Sequence, residues 1–269
     1  MTVRRIVLLT LGWEDLPKSV SVFGAANHLR LREPTPGVLL QLDGGWLLLD
    51  TGFNTALIRD PALRRRFYPG VEYLPILPGG GEPIEEALAA ADIPIDAIKA
   101  VALSHLHSDH AGGLKLFAGR VPVHVQRREL DYGLSSPPEP ERQGIYRIDF
   151  DDPGINWQLH DGDIEIAPGV TAVSTPGHTP GHQSFMVELD ASVGGGGFIF
   201  AFDAADLTEN IEQELPVGSF IDVDPEQTLE PIRRLKALGV ERGYRLVPGH
   251  DPLVWPSLTT ELEQRFPPT

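Results

Sequence analysis

The sequence predicts an α/β (α+β) protein in which β-sheets pack on each other and helices lie outside. Three observations support this class: strand-like apolar segments outnumber helical ones, hairpin signals are frequent, and the predicted helices fall between groups of hairpins. The 269 residues contain no internal repeat and no linker that would divide the chain. We therefore predict a single domain over residues 1–269.

The first half of the chain contains five predicted strands and two predicted helices. An apolar segment after Arg5 predicts the first strand, and residues 37–52 predict a hairpin that turns at Asp43-Gly44-Gly45. Residues 83–91 predict a helix that begins with proline, and residues 98–105 predict a buried strand. The segment AGGLKLF then has the pattern of the first turns of a helix, and VPVHVQ that of another strand.

The second half is predicted to contain more strands than helices. Residues 162–178 predict a hairpin that turns at Pro168-Gly169, and the segments QSFMVEL and GFIFAFDAAD predict two further strands. Residues 224–239 predict a helix that ends at Gly239, before a last strand in YRLVPGHD.

Two segments, 53–82 and 135–158, lack clear periodicity. Loops of this length in a compact domain are often functional, so their aromatic side chains could line a pocket; the alternative is that they fasten the loops to the core. These side chains are Phe67, Tyr68, Tyr73, Tyr146, Phe150 and Trp157.

Charge and cysteine content exclude several classes of function. With 22 basic and 38 acidic residues the formal net charge is −16, and such a surface repels nucleic acid. The chain has no cysteine, so disulfides, thiol nucleophiles and thiolate ligands are excluded, and any metal must be held by histidine and carboxylate. No apolar segment is long enough for a membrane span, and we expect a cytoplasmic protein.

Residues 103–113, LSHLHSDHAGG, contain three histidines and an aspartate within six positions. His105 and His107 are two residues apart at the end of a predicted strand, so their side chains point the same way and can bind one ion. Asp109 and His110 follow where the chain bends, and they can reach a second ion nearby. A solvated loop without metal is the alternative, but burying these groups without ligands would leave several of them unpaired.

Three more ligand candidates stand at the ends of other apolar strands: His178 in TPGHTPGH, Asp203 in FAFDAAD and His250 in LVPGHD. Residues at strand ends on one rim of a sandwich can meet in space although they are far apart in sequence. His182 is expected to order a neighbouring ligand or to cap the turn. The other histidines, His28, His124 and His160, are interpreted as ordinary core or surface residues.

The motif HxHxDH and its three distant partners resemble the metallo-β-lactamase-fold hydrolases. The resemblance extends from the turn Asp50-Thr51-Gly52 to His250, and it implies a four-layer αββα sandwich with two zinc ions; cobalt, manganese or iron would bind similar ligands. It also implies the ligand sets: His105, His107 and His178 for one ion, Asp109, His110 and His250 for the other, and Asp203 as the bridge. Asp50 would lie behind the ligands, although an aspartate here could simply shape the turn.

The absence of cysteine separates this chain from the true β-lactamases, which carry a cysteine at the position of Asp203. In layout the chain is most similar to acyl-homoserine lactonases, which share the PGHTPGH block and the aspartate followed by two small residues. Those lactonases commonly have a substrate-contacting tyrosine three residues after the bridging aspartate, whereas this chain has Asp206. Either Tyr68, Tyr73 or Tyr146 supplies the missing hydroxyl, or the substrate differs.

The expected reaction is the opening of a lactone ring by a hydroxide shared between two zinc ions, with Asp109 and Asp203 as catalytic residues. The expected partner is a small lactone or ester, such as an N-acyl-homoserine lactone, and a homodimer stays open. Thioester hydrolysis of the glyoxalase II type and phosphotriester hydrolysis are alternatives on the same ions. A nuclease would need a basic groove, and a di-iron redox protein would need a changed ligand set, neither of which is apparent.

Overall fold

A computed structural model describes residues 2–68, 74–135, 144–219 and 223–267. The strands within these ranges are β1 (Arg5–Pro17), β2 (Arg30–Leu42), β3 (Gly45–Leu49), β4 (Leu74–Ile76), β5 (Ile98–Ala102), β6 (Pro122–Gln126), β7 (Asn156–His160), β8 (Ile164–Ala167), β9 (Val170–Ser174), β10 (Gln183–Glu188), β11 (Gly197–Phe200) and β12 (Arg245–Val247).

The helices are α1 (Thr55–Arg59), α2 (Pro61–Phe67), α3 (Pro83–Ala90), α4 (Ser108–Ala111), α5 (Arg127–Ser135), α6 (Arg147–Phe150), α7 (Thr208–Glu212), α8 (Leu229–Arg242) and α9 (Val254–Arg265). None of these helices, in the part of the chain that the structure describes, has the length and apolar character needed to cross a membrane.

The strands form two sheets that follow each other in the chain. The first sheet has seven strands in the order β4-β1-β2-β3-β5-β6-β7, with parallel pairing from β3 to β7 and antiparallel pairing elsewhere. The second has five strands in the order β12-β11-β10-β9-β8, antiparallel except for the pair β11 and β12. Residues 5–160 therefore build one sheet, and residues 164–247 build the other.

The two sheets pack face to face because alternate residues of their strands are apolar on both faces. In β3, Leu47 and Leu49 enter the core between the sheets, where they join Phe185 and Val187 of β10. The opposite face of the first sheet, with Leu48, packs under α3, α5 and α6, and that of the second sheet packs under α8. This arrangement is the predicted four-layer αββα sandwich.

Both predicted hairpins are confirmed, since Asp43-Gly44 joins β2 to β3 and Pro168-Gly169 joins β8 to β9. The predicted strand 98–105 was too long, because β5 ends at Ala102. Beyond it, the backbone N–H of Ser104 donates to the Asp50 carboxylate at 2.7 Å, and its carbonyl accepts from the N–H of Gln183 in the other sheet.

Two other predicted boundaries were wrong. The strand predicted in GFIFAFDAAD ends at Phe200, and a short 3₁₀ turn over residues 202–204 follows it. The helix predicted to end at Gly239 continues to Arg242. Gly239 lies inside this helix, whereas Gly243 takes the left-handed conformation that ends it, with φ 66°.

The two aperiodic segments contain short helices that periodicity alone did not reveal. Residues 53–82 contain α1, α2 and β4, and residues 135–158 contain α6 and the first part of β7. Phe67 and Tyr146 pack together with Leu57 in a small apolar cluster, and Phe150 lies in the core under the first sheet. Tyr73 lies outside the described residues.

Candidate metal centre

All seven candidate ligands meet at one rim of the sandwich, where loops leave both sheets. Four come from the loop after β5 and from α4, and three come from loops after β9, β11 and β12. Their side chains are nearly or fully buried. Seven histidine and carboxylate side chains of this kind are rarely buried together without a partner that neutralises and pairs them.

Three histidine nitrogens and one carboxylate oxygen form the first group. His107 Nδ1 lies 2.9 Å from His105 Nε2 and 2.8 Å from His178 Nε2. Asp203 Oδ2 lies 3.8 Å from His105 Nε2 and 3.3 Å from His178 Nε2. A ring nitrogen carries at most one proton, so hydrogen bonding alone cannot account for both contacts of His107 Nδ1.

The second group shares Asp203 with the first. His110 Nε2 lies 2.9 Å from Asp109 Oδ2 and 3.1 Å from Asp203 Oδ1, and His250 Nε2 lies 3.0 Å from the same Asp203 oxygen. Asp203 thus turns Oδ2 to the first group and Oδ1 to the second. This is the arrangement expected of a carboxylate that bridges two ions.

The donor set fits divalent metal ions. Ligand atoms at 2.0–2.1 Å around a tetrahedral zinc ion are about 3.3 Å apart, which is close to the separations in both groups. The Nε2 atom of His110 is buried and makes no hydrogen bond in the described part of the chain. A metal ion would satisfy this lone pair, so both groups could hold a metal.

Two candidate ligands, His110 and His250, have a hydrogen-bond acceptor at Nδ1, the ring nitrogen that faces away from the ligand group, and this acceptor fixes the orientation of the ring. His250 Nδ1 lies 2.9 Å from the carbonyl oxygen of Pro34, which can only accept, so this nitrogen is the donor and Nε2 keeps its lone pair. His110 Nδ1 lies 2.7 Å from Asp50 Oδ2. Asp50 therefore lies behind the ligands and orients one of them, the role that carboxylates commonly play behind metal-binding histidines.

Buried carboxylates set the protonation of the second group. Burial lowers the pKa of His110, but the carboxylates of Asp109, Asp203 and Asp50 raise it more, and the net shift is well upward. Burial raises the pKa of Asp203, and the surrounding histidines lower it to well below the usual value. The carboxylate of Asp203 is therefore ionised, which favours a cation beside it, and a metal ion would bind His110 by displacing the proton that the neighbouring carboxylates stabilise on its ring.

Glu129 supports the site, and the sequence analysis missed it. Its carboxylate is fully buried and accepts from the backbone N–H of Leu106 at 3.0 Å, from Thr179 Oγ1 at 2.8 Å and from the N–H of Gly181 at 3.0 Å. It thereby joins the loop of His105 and His107 to the loop of His178. In the sequence it is one glutamate among charged residues of a predicted connection, and no local signal distinguishes it from a surface residue.

A second acidic group, Glu14, Glu33 and Asp206, lies beside the centre, and we call it the acidic wall. Glu14 and Glu33 are direct partners on β1 and β2, and Asp206 lies within ligand distance of Asp203 and His250. Burial and the nearby Asp109 raise the pKa of Glu14 to about 8. Burial raises the pKa of Glu33 to about 7. Sequence reasoning identified only Asp206 of these three.

The tyrosines proposed to replace the missing hydroxyl have different surroundings. Tyr68 places its hydroxyl 3.0 Å from Oγ of Ser108, which lies between the ligands His107 and Asp109. The hydroxyl of Tyr146 donates to the carbonyl of Phe67 at 2.6 Å and is occupied there. Of these two tyrosines, Tyr68 is therefore the one whose hydroxyl lies beside the segment that carries His107 and Asp109.

The remaining histidines lie outside both groups. His182 is buried beside His105, with ring centres 5.2 Å apart, and its Nδ1 lies 2.9 Å from Thr175 Oγ1 in the same turn. His124 and His160, on the neighbouring strands β6 and β7, stack on each other, and His28 is exposed.

Sequence and structure comparisons agree with this geometry. The family model described as the metallo-beta-lactamase superfamily matches residues 32–250. The chain is 34% identical to an N-acyl homoserine lactonase, AttM, of Azorhizobium caulinodans over 83% of this chain and 84% of that protein. It is 31% identical to the N-acyl homoserine lactonase AiiA of Bacillus thuringiensis subsp. kurstaki over 93% and 94% of the two chains.

A solved structure of an N-acyl homoserine lactone hydrolase, with the product N-hexanoyl-L-homoserine bound at its catalytic metal centre, is also similar. Its TM-score is 0.81 at 30% identity, and the match covers 96% of this chain and 97% of that one. Family model, relatives and fold agree, and the chain belongs to the metallo-beta-lactamase superfamily.

Proposed function

We propose that this protein is a lactone hydrolase that uses two zinc ions and acts on N-acyl-homoserine lactones or related lactones. The observation that carries the proposal is the orientation of Asp203, whose two carboxylate oxygens face two separate groups of buried histidines. A carboxylate in this position keeps two ions close together, as hydrolysis of a carboxylic ester by a pair of ions requires. The relatives named N-acyl homoserine lactonases support a lactone as the substrate.

The ligand sets proposed from the sequence are those that the geometry supports. His105, His107 and His178 would hold one ion, Asp109, His110 and His250 would hold the other, and Asp203 would bridge them. When bound, such ions polarise an ester carbonyl and lower the pKa of water, so that the attack needs no serine or cysteine nucleophile. Zinc is proposed because histidine and aspartate are its usual ligands in sites without cysteine.

Several side chains have roles other than binding an ion, and Asp109 has one in addition to its proposed role as a ligand. Asp50 and the Pro34 carbonyl hold the rings of His110 and His250 with Nε2 facing inward. Asp109 is about 9% exposed, so one carboxylate of the centre stays within reach of solvent and can carry a proton away. Tyr68 supplies a hydroxyl beside the same loop, where it can contact a bound lactone.

A substrate panel tests this function. Opening a lactone converts an ester to a carboxylic acid and releases one proton near neutral pH, which a pH indicator follows. Zinc-loaded protein is given acyl-homoserine lactones, a simple lactone, a glutathione thioester and a phosphotriester. We expect turnover of the lactones, loss of it on chelation, and recovery when zinc is returned. Turnover of the thioester or phosphotriester alone would contradict the proposal.

The Asp203→Asn variant gives the sharpest test of the bridge. An amide has only one oxygen that can bind an ion, so we expect the bound metal to fall below two ions per chain and kcat/KM to fall by about 10³-fold or more. Glu85→Gln, at an exposed position of α3, is the control. Full turnover by the Asp203→Asn variant would refute the two-ion scheme.

The cytoplasmic location and the homodimer stay predictions.

A further inference from the structure

The acidic wall is not needed to hold either ion, yet it stands directly against the candidate metal centre. Glu14 and Glu33 are paired across antiparallel strands, where directly opposite side chains have Cβ atoms about 4.5–5.5 Å apart. Two like charges in this position repel each other and weaken the sheet. Because burial raises the pKa of Glu14 to about 8 and that of Glu33 to about 7, the pair stays partly protonated near neutral pH, and full ionisation of both carboxyls calls for a positively charged partner.

In the part of the chain that the structure describes, the Glu33 carboxylate has one hydroxyl as its hydrogen-bond donor. Glu33 is 2% exposed, and Ser21 Oγ lies 2.7 Å from one of its oxygens and 2.8 Å from the other. The hydroxyl has a single proton, so it can satisfy only one of these oxygens at a time. The other oxygen is buried and able to accept a further hydrogen bond.

Asp206 provides an independent observation. It is 5% exposed, and its buried Oδ1 makes no hydrogen bond within the described ranges. A carboxylate oxygen of Asp206 also lies within 4.8 Å of the facing atoms of Asp203 and His250. A buried carboxylate with one unpaired oxygen therefore lies beside the candidate ligands, and buried acceptors of this kind normally have a donor.

We propose that the acidic wall binds an ammonium group of the substrate, and that this chain therefore prefers lactones that carry a positive charge. An ammonium group has three N–H donors and no acceptor, so it can donate one hydrogen bond to each carboxyl of Glu14, Glu33 and Asp206, and its single positive charge offsets part of their negative charge. Glu14 is partly exposed, whereas Asp206 is buried next to the candidate ligands Asp203 and His250. This proposal rests on the proposed lactone hydrolysis and names the substrate class within it.

Two matched pairs of substrates test the preference with zinc-loaded protein. In the first pair, α-amino-γ-butyrolactone is compared with α-methyl-γ-butyrolactone, which places ammonium or methyl next to the carbonyl. In the second, N-(6-aminohexanoyl)-homoserine lactone is compared with N-heptanoyl-homoserine lactone, which differ only at the end of the chain. Because an ammonium group also changes the intrinsic reactivity of a nearby ester, the readout is how variants change the ratio of kcat/KM within a pair.

The variants are Glu33→Gln and Asp206→Asn, with Glu14→Gln as a change of a half-buried side chain that should fold in any case. We expect at least one pair to show a preference for ammonium that falls by about tenfold in these variants. The exposed Glu85→Gln should keep the wild-type ratio. Calorimetric binding of the ring-opened products of the second pair should show the same loss of preference without depending on turnover.

The outcomes separate the two proposals. If wild type opens the lactones but the ratios are the same in wild type and variants, the acidic wall does not select charge and the inference is overturned, while lactone hydrolysis stands. If zinc-loaded wild type opens none of the four lactones, both proposals fail. Elemental analysis that finds a third ion per chain, lost in Asp206→Asn, would also overturn the inference, because the wall would then be a metal site.

Discussion

At the scale of single residues, Asp50 combines an unusual backbone conformation with three polar contacts. Its φ of 57° lies in the left-handed region, which aspartate tolerates better than most residues. Its carboxylate contacts the backbone N–H of Ser104 at 2.7 Å, the hydroxyl of the same residue at 2.7 Å and His110 Nδ1 at 2.7 Å. Three contacts require both oxygens to accept, which only a carboxylate can do.

Asp50→Asn should therefore weaken metal binding while keeping the fold. Asparagine also tolerates positive φ, but its single oxygen cannot serve both Ser104 and His110. We expect metal affinity to fall by about 10- to 100-fold, measured by competition with a coloured chelator. Asp60→Asn, at the exposed N-cap of α2, is the control. Equal affinities for wild type and Asp50→Asn would mean that Asp50 shapes the turn and nothing more.

Asp149 gives a pH dependence that is separate from the metal centre. It is fully buried, it accepts from Asn54 Nδ2 at 2.7 Å, and burial raises its pKa to about 7. The native state then keeps a proton that the unfolded state loses near pH 3.8, so the free energy of unfolding falls as pH rises from about 4 to about 7. Above that range the full cost of a buried charge is present.

Asp149→Asn should remove this cost, since the amide oxygen can still accept from Asn54. We expect the variant to gain on the order of 2 kcal/mol over wild type at pH 8 and little at pH 4. Urea unfolding of both metal-loaded proteins across this range would measure the difference. A gain that is independent of pH would show that the carboxyl is not the titrating group.

At the scale of the elements, the end of α4 lies against the residues just before α1 at a distance that only glycine allows. A Cβ atom on Gly112 would lie 2.0 Å from the backbone nitrogen of Asn54 and 2.4 Å from the carbonyl carbon of Phe53. Backbone atoms cannot move aside as the end of a side chain can. This contact sets the position of α4, and thereby of Asp109 and His110.

Gly112→Ala should be strongly destabilising, by about 3 kcal/mol or more, because both backbone segments must separate. Gly44→Ala, in the turn between β2 and β3, is a matched control, since a Cβ there has nothing within 4 Å. Thermal unfolding would compare the two. Similar melting temperatures would show that the loop can shift at little cost.

The elements also show what sequence patterns can and cannot predict. Turn residues located both hairpins, because Asp-Gly and Pro-Gly determine the backbone locally. They could not place the end of β5, because Ser104 beyond it is held by the carboxylate of Asp50, which follows β3. They also could not show that the helix passes through Gly239 and ends at Gly243, because the packing of the helix decides this. Candidate ligands could be proposed because they cluster in sequence or stand at strand ends, and their role as ligands stays a prediction. Glu129 and the pairing of Glu14 with Glu33 depend on contacts between distant segments, which no local pattern records.

At the scale of the whole molecule, the candidate ligands come from both sheets. The first sheet supplies His105, His107, Asp109 and His110, and the second supplies His178, Asp203 and His250. A metal ion bound only by the native state raises the free energy of unfolding with the logarithm of its affinity. Without ions, the same buried groups must be paired imperfectly.

Chelation should therefore lower the melting temperature of the protein as a whole. Two metal ions at free concentrations well above their dissociation constants should add about 4 kcal/mol to the free energy of unfolding. This corresponds to about 10 °C in melting temperature for a chain of this size. Calorimetric scans with chelator, and then with zinc restored, would measure the shift and its reversal. The Asp203→Asn variant should respond much less. A melting temperature that is the same with and without metal would contradict tight binding to the native state.

The sequential order of the two sheets has a consequence for how the centre is assembled. Because the first sheet ends at His160 and the second begins at Ile164, a single cut in between would leave each fragment with an incomplete coordination sphere. Four candidate donors would remain on one fragment and three on the other, among them the proposed bridging carboxylate of Asp203. During synthesis, the amino-terminal sheet leaves the ribosome long before Asp203 does, so the proposed pair of ions could be acquired in full only after the last strand and His250 have emerged.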